Sequence, residues 1–336
     1  MKKFILLLLV LVFTTQIYSQ GKTPYKAPTF KVWVMGDFHM DDTENLVPAS
    51  GFQMRAARLI FSGKLDNGFG YHAMGDFFDQ GNARPVLMQA WISYDASNYA
   101  QFRMGQFKYP FGTEAYGPLV KWKFINPSFV TGKLVKKLGM EGSIFRDIGI
   151  QAAGTAKFSK DFSLGYKAMI MNGNGANTIE NNDAKDIVGQ ATFKLPYNIS
   201  LLGSFFAGQT SLIGDASTTD VDENAIALTG QIYTKKYSAK FEYITSTKKL
   251  PTKDFVSAGF FGHATYMITK QIEAGVRYDN FDANTDVEND LLNRTTIMAA
   301  YYFNGINRIS LNYELRNNEK NDKWGNLLTV QFQAAL

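Results

Sequence analysis

The chain has 336 residues, a formal net charge of +5, 14% aromatic residues and 19% charged residues. It contains no cysteine, which excludes a disulfide framework, and only three histidines, which leaves few candidates for histidine-based catalysis or metal binding. The small basic excess does not indicate a nucleic-acid partner, and none is expected.

The first residues have the pattern of an export signal. Lys2 and Lys3 form a basic start, and residues 4–13 form an unbroken apolar run. Such a run is too short to span a bilayer, so the sequence predicts a cleaved signal peptide over residues 1–19. The mature domain is then 20–336. No later segment approaches the length of a transmembrane helix.

Sixteen strands are predicted in the rest of the chain, and most are much longer than the roughly five or six residues of an ordinary globular strand. A tilted strand that crosses a bilayer needs about nine to eleven residues. The predicted strands are 29–40, 51–63, 69–78, 86–95, 99–109, 147–158, 161–172, 185–195, 197–209, 223–234, 237–247, 256–268, 271–281, 291–303, 306–316 and 324–336.

Short and long connections alternate along these strands. Turns such as 159–160 and 235–236 are followed by longer loops such as 173–184 and 248–255. This alternation is typical of an outer-membrane barrel with periplasmic turns and longer external loops, and closure removes the unpaired edges that lipid cannot satisfy. The sequence therefore predicts an all-β fold, a 16-stranded antiparallel transmembrane β-barrel.

Individual strands separate an apolar face from a charged face. In 271–281, Ile272 and Val276 alternate with Glu273 and Arg277, and in a barrel the charged face lines a water-filled lumen. Acidic residues share these faces, so any anion preference should be mild. The basic residues expected to face the lumen are Lys157, Lys167, Lys194, Lys240, Arg277, Arg308 and Arg316.

Some positions do not follow simple alternation. Arg103 and Lys108 fall on opposite faces of their strand, so at most one of them is expected to line the pore. Residues 58–63, 201–206 and 297–303 carry apolar side chains on both faces. These three segments are expected to contact a neighbouring subunit or a loop that folds into the barrel.

The connection 110–146 is far longer than the usual median of about four to six residues, and loops of this length are usually functional or disordered. We expect it to fold into the lumen and to bring positive charge to the narrowest point, where basic side chains favour anions. A basic loop outside the cell that touches lipopolysaccharide phosphates is the alternative. The candidate anion-guiding residues are Lys121, Lys123, Lys133, Lys136 and Lys137.

Two motifs flank this long loop. The stretches FRMGQFKYPFGTE (102–114) and FRDIGIQAAG (145–154) resemble the phosphate-selective porin O and P family and its relatives in Bacteroidetes-type bacteria. The resemblance implies a trimeric sixteen-stranded porin whose third long loop forms a constriction, with phosphate as one permeant. The matching residues are Gly105, Gln106, Phe107, Lys108, Pro110, Phe111 and Gly112, followed by Arg146, Asp147 and Gly149.

The second motif has two interpretations that rest on its residues alone. Arg146 and Asp147 could hold the returning loop by a charge-assisted hydrogen bond, or they could form an ordinary surface ion pair.

The sequence thus predicts a passive porin for small hydrophilic solutes in the outer membrane of a Gram-negative bacterium, surrounded by lipid and without a cofactor or enzymatic activity. A non-conducting barrel for adhesion or envelope assembly is one alternative. A barrel-borne hydrolase built on His39, His72 or His263 is another. The acidic loop 282–290 lacks the glycine and the final glutamate of a calcium loop, so no metal site is predicted.

Overall fold

The computed structural model describes residues 27–42, 50–65, 67–78, 86–135, 145–180, 183–213 and 218–336. The predicted signal peptide lies outside these residues, as do Lys136 and Lys137. The described strands are β1 (Thr29–Asp41), β2 (Ser50–Lys64), β3 (Phe69–Asp76), β4 (Val86–Asp95), β5 (Gln101–Lys108), β6 (Arg146–Lys157), β7 (Ser163–Met171), β8 (Asp186–Leu195), β9 (Ile199–Ile213), β10 (Thr218–Tyr233), β11 (Tyr237–Lys248), β12 (Phe255–Met267), β13 (Ile272–Asp282), β14 (Leu292–Asn304), β15 (Asn307–Asn318) and β16 (Lys323–Ala335).

These strands form a closed antiparallel barrel in which each strand pairs with its neighbours in sequence and β16 pairs with β1. Near the closure, Val32 and Leu336 exchange backbone hydrogen bonds of 3.2 and 3.0 Å. The predicted sixteen-stranded barrel is confirmed. Helical structure in the described residues is limited to the short segments Leu119–Lys121, Val130–Leu134, Pro196–Asn198 and Glu319–Asn321. None of the helices described here has the length and apolar character needed to cross a bilayer.

The outer surface of the barrel is apolar and the inner surface is largely polar. In β13, Val276 and Tyr278 point outward and are 48% and 44% exposed, whereas Glu273, Arg277 and Asp279 point inward and are buried. An apolar outer face suits contact with acyl chains, where backbone polar groups must pair within the sheet. The charged face of this strand is therefore the inner one, as predicted.

The two ends of the barrel differ. Short turns such as 234–236 and 268–271, together with both termini of the closing strands, lie at one end, which we call the short-turn end. The longer connections lie at the opposite end, which we call the loop end. Exposed aromatic rings collect near the short turns, among them Tyr99, Tyr197 and Phe303, in agreement with an interfacial girdle.

The β9–β10 hairpin extends further than the sequence predicts. β9 continues to Ile213 and β10 begins at Thr218, with Val221 paired to Thr210. The prediction placed a loop over 210–222, where outward positions such as Asp220 and Asp222 are polar. A strand that continues beyond the membrane no longer needs an apolar outer face, so hydrophobic alternation does not mark its end.

Candidate pore constriction

Residues 109–135, which we call the inner segment, leave the end of β5 and cross the inside of the barrel. Their hydrogen-bonding partners lie on strands all around the wall. Gln190 of β8 donates to the carbonyl of Gly112 at 3.1 Å, and Gln333 of β16 donates to the carbonyl of Val120 at 3.0 Å. A segment that reaches β8 and β16 together occupies the lumen. The backbone N–H of Thr113 also donates to Glu242 of β11 at 2.7 Å.

An apolar cluster holds both ends of the inner segment against one side of the wall. Phe111 and Val130 of the segment are fully buried and belong to the same cluster as Phe206, Ile244 and Phe261. The apolar inward positions of β9 to β12 therefore serve packing inside the barrel, where burial of each large side chain contributes about 1.5–3 kcal/mol.

This packing explains the segments with two apolar faces. In 201–206, Phe205 faces outward and Phe206 joins the cluster with the inner segment, which confirms contact with a folded-in loop at this site. In 58–63, Ile60 instead forms a cluster with Met74 and Met88 of the neighbouring wall strands. In 297–303, Met298 points inward and is buried.

Arginines hold the middle of the inner segment against the opposite side. Arg277 of β13 donates to the carbonyl of Asn126 at 2.8 Å, and Arg294 of β14 donates to the carbonyl of Pro127 at 2.5 Å. Arg308 of β15 donates to the carbonyl of Trp122 at 2.5 Å. Arg55 of β2 donates to the carbonyl of Ile125 at 3.2 Å. Guanidinium groups suit this role because each carries five N–H donors in a fixed plane.

Acidic side chains pair with Arg277 and Arg294. Asp279 pairs with Arg277 at 3.1 Å and with Arg294 at 2.9 Å, and the oxygen that pairs with Arg294 also accepts the backbone N–H of Phe129 at 2.8 Å. Glu314 pairs with Arg294 at 3.2 Å and with Arg316 at 2.7 Å. The buried charges thus form one connected network, which avoids the cost of an unpaired buried ion.

Two connected cavities remain on the side of the inner segment that faces the short turns, with volumes of about 440 and 570 Å³. Lys121, Lys123 and Tyr233 line both, and the larger cavity reaches Lys270 and Gly305 in the short turns themselves. We call them together the basic vestibule. Its other basic side chains are Lys167, Lys240 and Arg308.

The charge of the basic vestibule is predominantly positive. Lys123 is neutralised by Glu273 at 2.6 Å. Lys121, Lys167 and Lys240 form no ion pair within the part of the chain that the structure describes. Lys167 instead donates to Gln190 at 2.8 Å and lies 4.7 Å from the ring of Tyr116.

A third, narrower cavity of about 180 Å³ lies between the inner segment and strands β1 to β6. None of its ten lining residues is acidic, and four are basic, namely Arg58, Arg103, Lys108 and Arg146. Burial raises the pKa of Tyr116, which also lines it, so this phenol stays neutral at pH 7 and adds no negative charge. We call this space the narrow cavity.

The expectation that at most one of Arg103 and Lys108 lines the pore is wrong, because both line the narrow cavity. The guanidinium of Arg103 lies 4.6 Å from the ring of Trp91. Lys108 is the last residue of β5, and its ammonium group donates to the carbonyls of Ala115 and Gly117 at 2.6 Å each. Alternation within a strand does not determine the direction of a long side chain at the end of that strand.

The candidate lysines of the long loop lie in different surroundings. Lys121 and Lys123 line the basic vestibule. Lys133 is exposed and lines none of the three cavities described above. Lys136 and Lys137 lie outside the described residues.

The candidate strand residues all occupy inward positions, with two distinct environments. Lys167 and Lys240 line the basic vestibule, whereas Lys157 and Lys194 are exposed near the short turns. Arg277 and Arg308 are buried against the inner segment, and Arg316 pairs with Asp41 at 3.1 Å.

The family-motif residues build the point where the inner segment begins. Gly105 and Gly149 are paired across β5 and β6, Phe107 and Phe111 are fully buried, and Gln106 donates to the carbonyl of Leu87 at 2.7 Å. Pro110 is buried and Gly112 has a φ of 63°.

Arg146 and Asp147 are buried, so the surface ion pair is wrong. Asp147 accepts the backbone N–H groups of Gly173 and Gly175 at 3.0 Å each and thereby holds the β7–β8 connection.

Sequence reasoning missed three inward arginines. Arg55 lies where the β1–β2 register shifts between Met35 and Gly36, so Arg55 and Arg58 both point inward although simple alternation separates them. A bulge of this kind leaves no clear pattern in the sequence. Arg294 could have been found, because it alternates in phase with Thr296 and Met298 on the buried face of β14.

Two of the three histidines pack against aromatic rings. The ring of His72 stacks on Trp91 at 5.0 Å, and His263 lies 5.4 Å from Phe124. Among the residues with described positions, no group of three or more His, Cys, Asp or Glu residues could hold a metal ion. In the acidic loop 282–290, Asp286 pairs with Lys253 at 2.9 Å.

Comparison with known proteins gives a consistent result. A family model described as phosphate-selective porin O and P matches residues 32–335. No curated protein matches the sequence.

Among solved structures, the anion-selective porin from Comamonas acidovorans is similar with a TM-score of 0.69 at 15% identity, over 92% of this chain and 99% of that one. A loop-deletion mutant of the outer membrane protein OmpT of Vibrio cholerae has a TM-score of 0.64 at 12% identity, over 92% of this chain and 99% of that one. The channel DcaP of Acinetobacter baumannii has a TM-score of 0.61 at 13% identity, over 91% and 97%. At these identities the similarity establishes the shared fold.

Proposed function

Because the chain belongs to the phosphate-selective porin O and P family, we propose that it conducts small anions in preference to cations. As a member of this family with a closed sixteen-stranded barrel, the protein is a passive channel of the Gram-negative outer membrane. Solutes cross it down their own gradients, and the selectivity depends on the charges that they meet inside.

The basic vestibule carries the proposal. Lys121, Lys167 and Lys240 face this space without an ion-pair partner in the described part of the chain. The carboxylate of Glu114 also lines it, but its charge is offset by Arg277 at 3.5 Å, and it accepts a hydrogen bond from Ser128. A cluster of one sign between low-dielectric walls concentrates the field and raises the local concentration of counter-ions. Chloride, phosphate and small organic anions are the permeants that such a field favours.

The same proposal includes a homotrimer and no catalytic role. The family resemblance supports the trimer, and a solved form of the structurally similar OmpT of Vibrio cholerae is described as a trimer. Packing of His72 and His263 against aromatic rings supports a structural role for these two histidines.

Reversal potentials of the purified protein in planar bilayers test the anion preference. We expect a chloride-over-potassium preference in a gradient centred on 0.1 M KCl, where charges act over about 10 Å. Changing Lys121→Gln together with Lys240→Gln should lower the permeability ratio roughly two- to fivefold. This estimate takes about 0.5 kcal/mol for a unit charge about 8 Å from the ion in water.

The matched control removes the same formal charge elsewhere. Lys249→Gln with Lys253→Gln changes two exposed loop lysines, which pair with Asp254 and Asp286. Their removal should leave the ratio within about 1.5-fold, because screening weakens charges beyond about 10 Å. A preference for potassium in the unmodified protein would contradict the proposal, and a complete lack of conductance would favour a non-conducting barrel.

A further inference from the structure

The narrow cavity combines a basic side with an apolar side, and neither the family nor the basic vestibule accounts for this combination. We propose that it binds small organic carboxylates with a compact apolar body, of the size of benzoate, in preference to inorganic oxyanions. The inference rests on the proposed function because it names a substrate class for an anion channel. It concerns the narrow cavity, which shares Tyr116 and Pro118 with the basic vestibule but none of its lysines.

The basic side offers charge-assisted donors to a single carboxylate. The rings of Trp91 and Phe107 lie 4.6 and 5.0 Å from the guanidinium carbon of Arg103, and such contacts leave the N–H groups at the edge of the guanidinium plane. Lys108 uses two of its three N–H donors on carbonyls of the inner segment, so one donor remains. Arg58 is neutralised by Asp76 at 2.7 Å.

The positive charge of this side is held in a place that water solvates poorly. Lys108 is buried, and no acidic residue lines the narrow cavity. A buried charge is stable only when it is paired or well hydrogen-bonded. An anion that enters the narrow cavity supplies this compensation, so the structure favours a negatively charged occupant.

The apolar side determines what the rest of the occupant should be. Trp33, Met74 and Leu119 line the narrow cavity together with Pro118. A cavity of about 150 Å³ with apolar walls is large enough to hold benzene. The volume of about 180 Å³ found here therefore accommodates a benzene-sized group with one carboxylate.

Phosphate fits this arrangement less well. Its oxygens are distributed around the whole ion, so those facing Trp33, Met74 or Leu119 would lose hydrogen bonds to water without replacement, which is unfavourable. A monocarboxylate has one polar end and can place its apolar body against these side chains. The two-sided lining thus discriminates between anions of equal charge by shape and polarity.

Block of the chloride current in planar bilayers tests the inference with defined probes. Benzoate, acetate and inorganic phosphate are added to the full-length mature protein at pH 7 and constant ionic strength. We expect benzoate to reduce the current at a concentration at least tenfold lower than either acetate or phosphate. Arg103→Gln should raise the blocking concentration of benzoate at least fivefold, because it removes a charged donor.

Two further variants separate the contribution of the apolar side of the narrow cavity from the effect of removing a lysine elsewhere. Leu119→Asn should weaken benzoate block and leave phosphate block unchanged, because only the apolar wall is altered. Lys249→Gln changes an exposed loop lysine that pairs with Asp254, and it should leave benzoate block unchanged. Folding of each variant is verified by its chloride conductance.

The outcomes distinguish this inference from the anion proposal. If the channel is chloride-selective but benzoate blocks the current no more strongly than acetate, the inference is overturned and the proposed function remains intact. Stronger block by phosphate than by benzoate would also overturn it. Benzoate block that is sensitive to Arg103→Gln in a channel without anion preference would support the site and refute the proposed selectivity.

Discussion

At the scale of single residues, the lysines and arginines inside the barrel have different roles. Arg277, Arg294 and Arg308 donate to backbone carbonyls of the inner segment, whereas Lys121 and Lys240 line the basic vestibule. A guanidinium can satisfy several fixed acceptors at once, while a strongly hydrated ammonium group is better placed next to water. The sequence pattern treats both residue types as lumen charges.

Gly105 combines a positive φ with a close approach of the neighbouring backbone. Its φ is 135°, and a Cβ atom built on it would lie 2.2 Å from the carbonyl oxygen of Ala90. Gly105→Ala should therefore destabilise the barrel by about 1–3 kcal/mol from the backbone conformation alone, with the steric clash in addition. Urea unfolding of the refolded protein in lipid vesicles measures this change.

Gly203→Ala is the matched control for this substitution. The added Cβ would meet only Leu228, at an ordinary contact distance of 3.9 Å. We expect a change of no more than about 1 kcal/mol, in the stabilising direction, because alanine has fewer unfolded conformations than glycine. Equal effects of the two substitutions would show that the conformation of Gly105 is not required.

At the scale of structural elements, the inner segment is fixed from two sides. Apolar side chains of β9 to β12 pack against Phe111 and Val130, and the arginines of β13 to β15 bind carbonyls between Trp122 and Pro127. The segment has little regular secondary structure of its own, so these tertiary contacts determine its course. Its position decides how the lumen is divided into the basic vestibule and the narrow cavity.

Arg294→Met tests this arrangement. The substitution removes ion pairs with Asp279 and Glu314 and the hydrogen bond to the carbonyl of Pro127. Loss of one partner from a buried ion pair costs about 3–5 kcal/mol, and we expect a loss of this size in the free energy of unfolding. Single-channel recordings should show larger current fluctuations as the inner segment loses an anchor.

An exposed ion pair provides the comparison for Arg294→Met. Lys249→Met removes the pair with Asp254, in which both side chains are about half exposed. Surface pairs contribute about 0–1 kcal/mol, so stability and current noise should remain nearly unchanged. A loss below 1 kcal/mol for Arg294→Met would mean that the charged network does not hold the inner segment.

At the scale of the whole molecule, the closed sheet leaves an apolar outer surface that either lipid or another subunit can cover. Exposed side chains such as Ile92, Phe241 and Phe332 can pack equally well against acyl chains and against another subunit. Close packing between subunits, rather than hydrophobicity, therefore has to favour assembly of the subunits.

Native mass spectrometry in detergent tests the homotrimer that we propose. We expect the main species to have three times the mass of the mature chain, and a heat-denatured sample to show the single chain. A native sample that contains only single chains would contradict the trimer.

Much of the fold was predictable because a spanning strand obeys two independent constraints. Its length must match the bilayer, and its faces must alternate between lipid and lumen, as in β13 and β15. Where a strand extends beyond the membrane, its outer face no longer has to be apolar, and its end becomes harder to predict. β10 begins five residues before its predicted start, because Asp220 and Asp222 can be polar beyond the membrane.

The candidate site was predictable only in part. Lys121 and Lys123 could be selected because they lie in the one long basic loop between two motifs, and both line the basic vestibule. The narrow cavity could not be derived in the same way. Arg58 reaches it through a register shift in β2, and Lys108 reaches it from a strand end.

The sequence by itself determined the number of strands, their pairing order and the direction of their charged faces, because these follow from local periodicity and from the requirement that backbone groups in lipid be paired. Only the tertiary structure decided which inward charges anchor the inner segment and which face open space. That division depends on contacts between residues far apart in the chain, such as Arg294 with Pro127 and Arg277 with Asn126. Local periodicity carries no information about such long-range contacts.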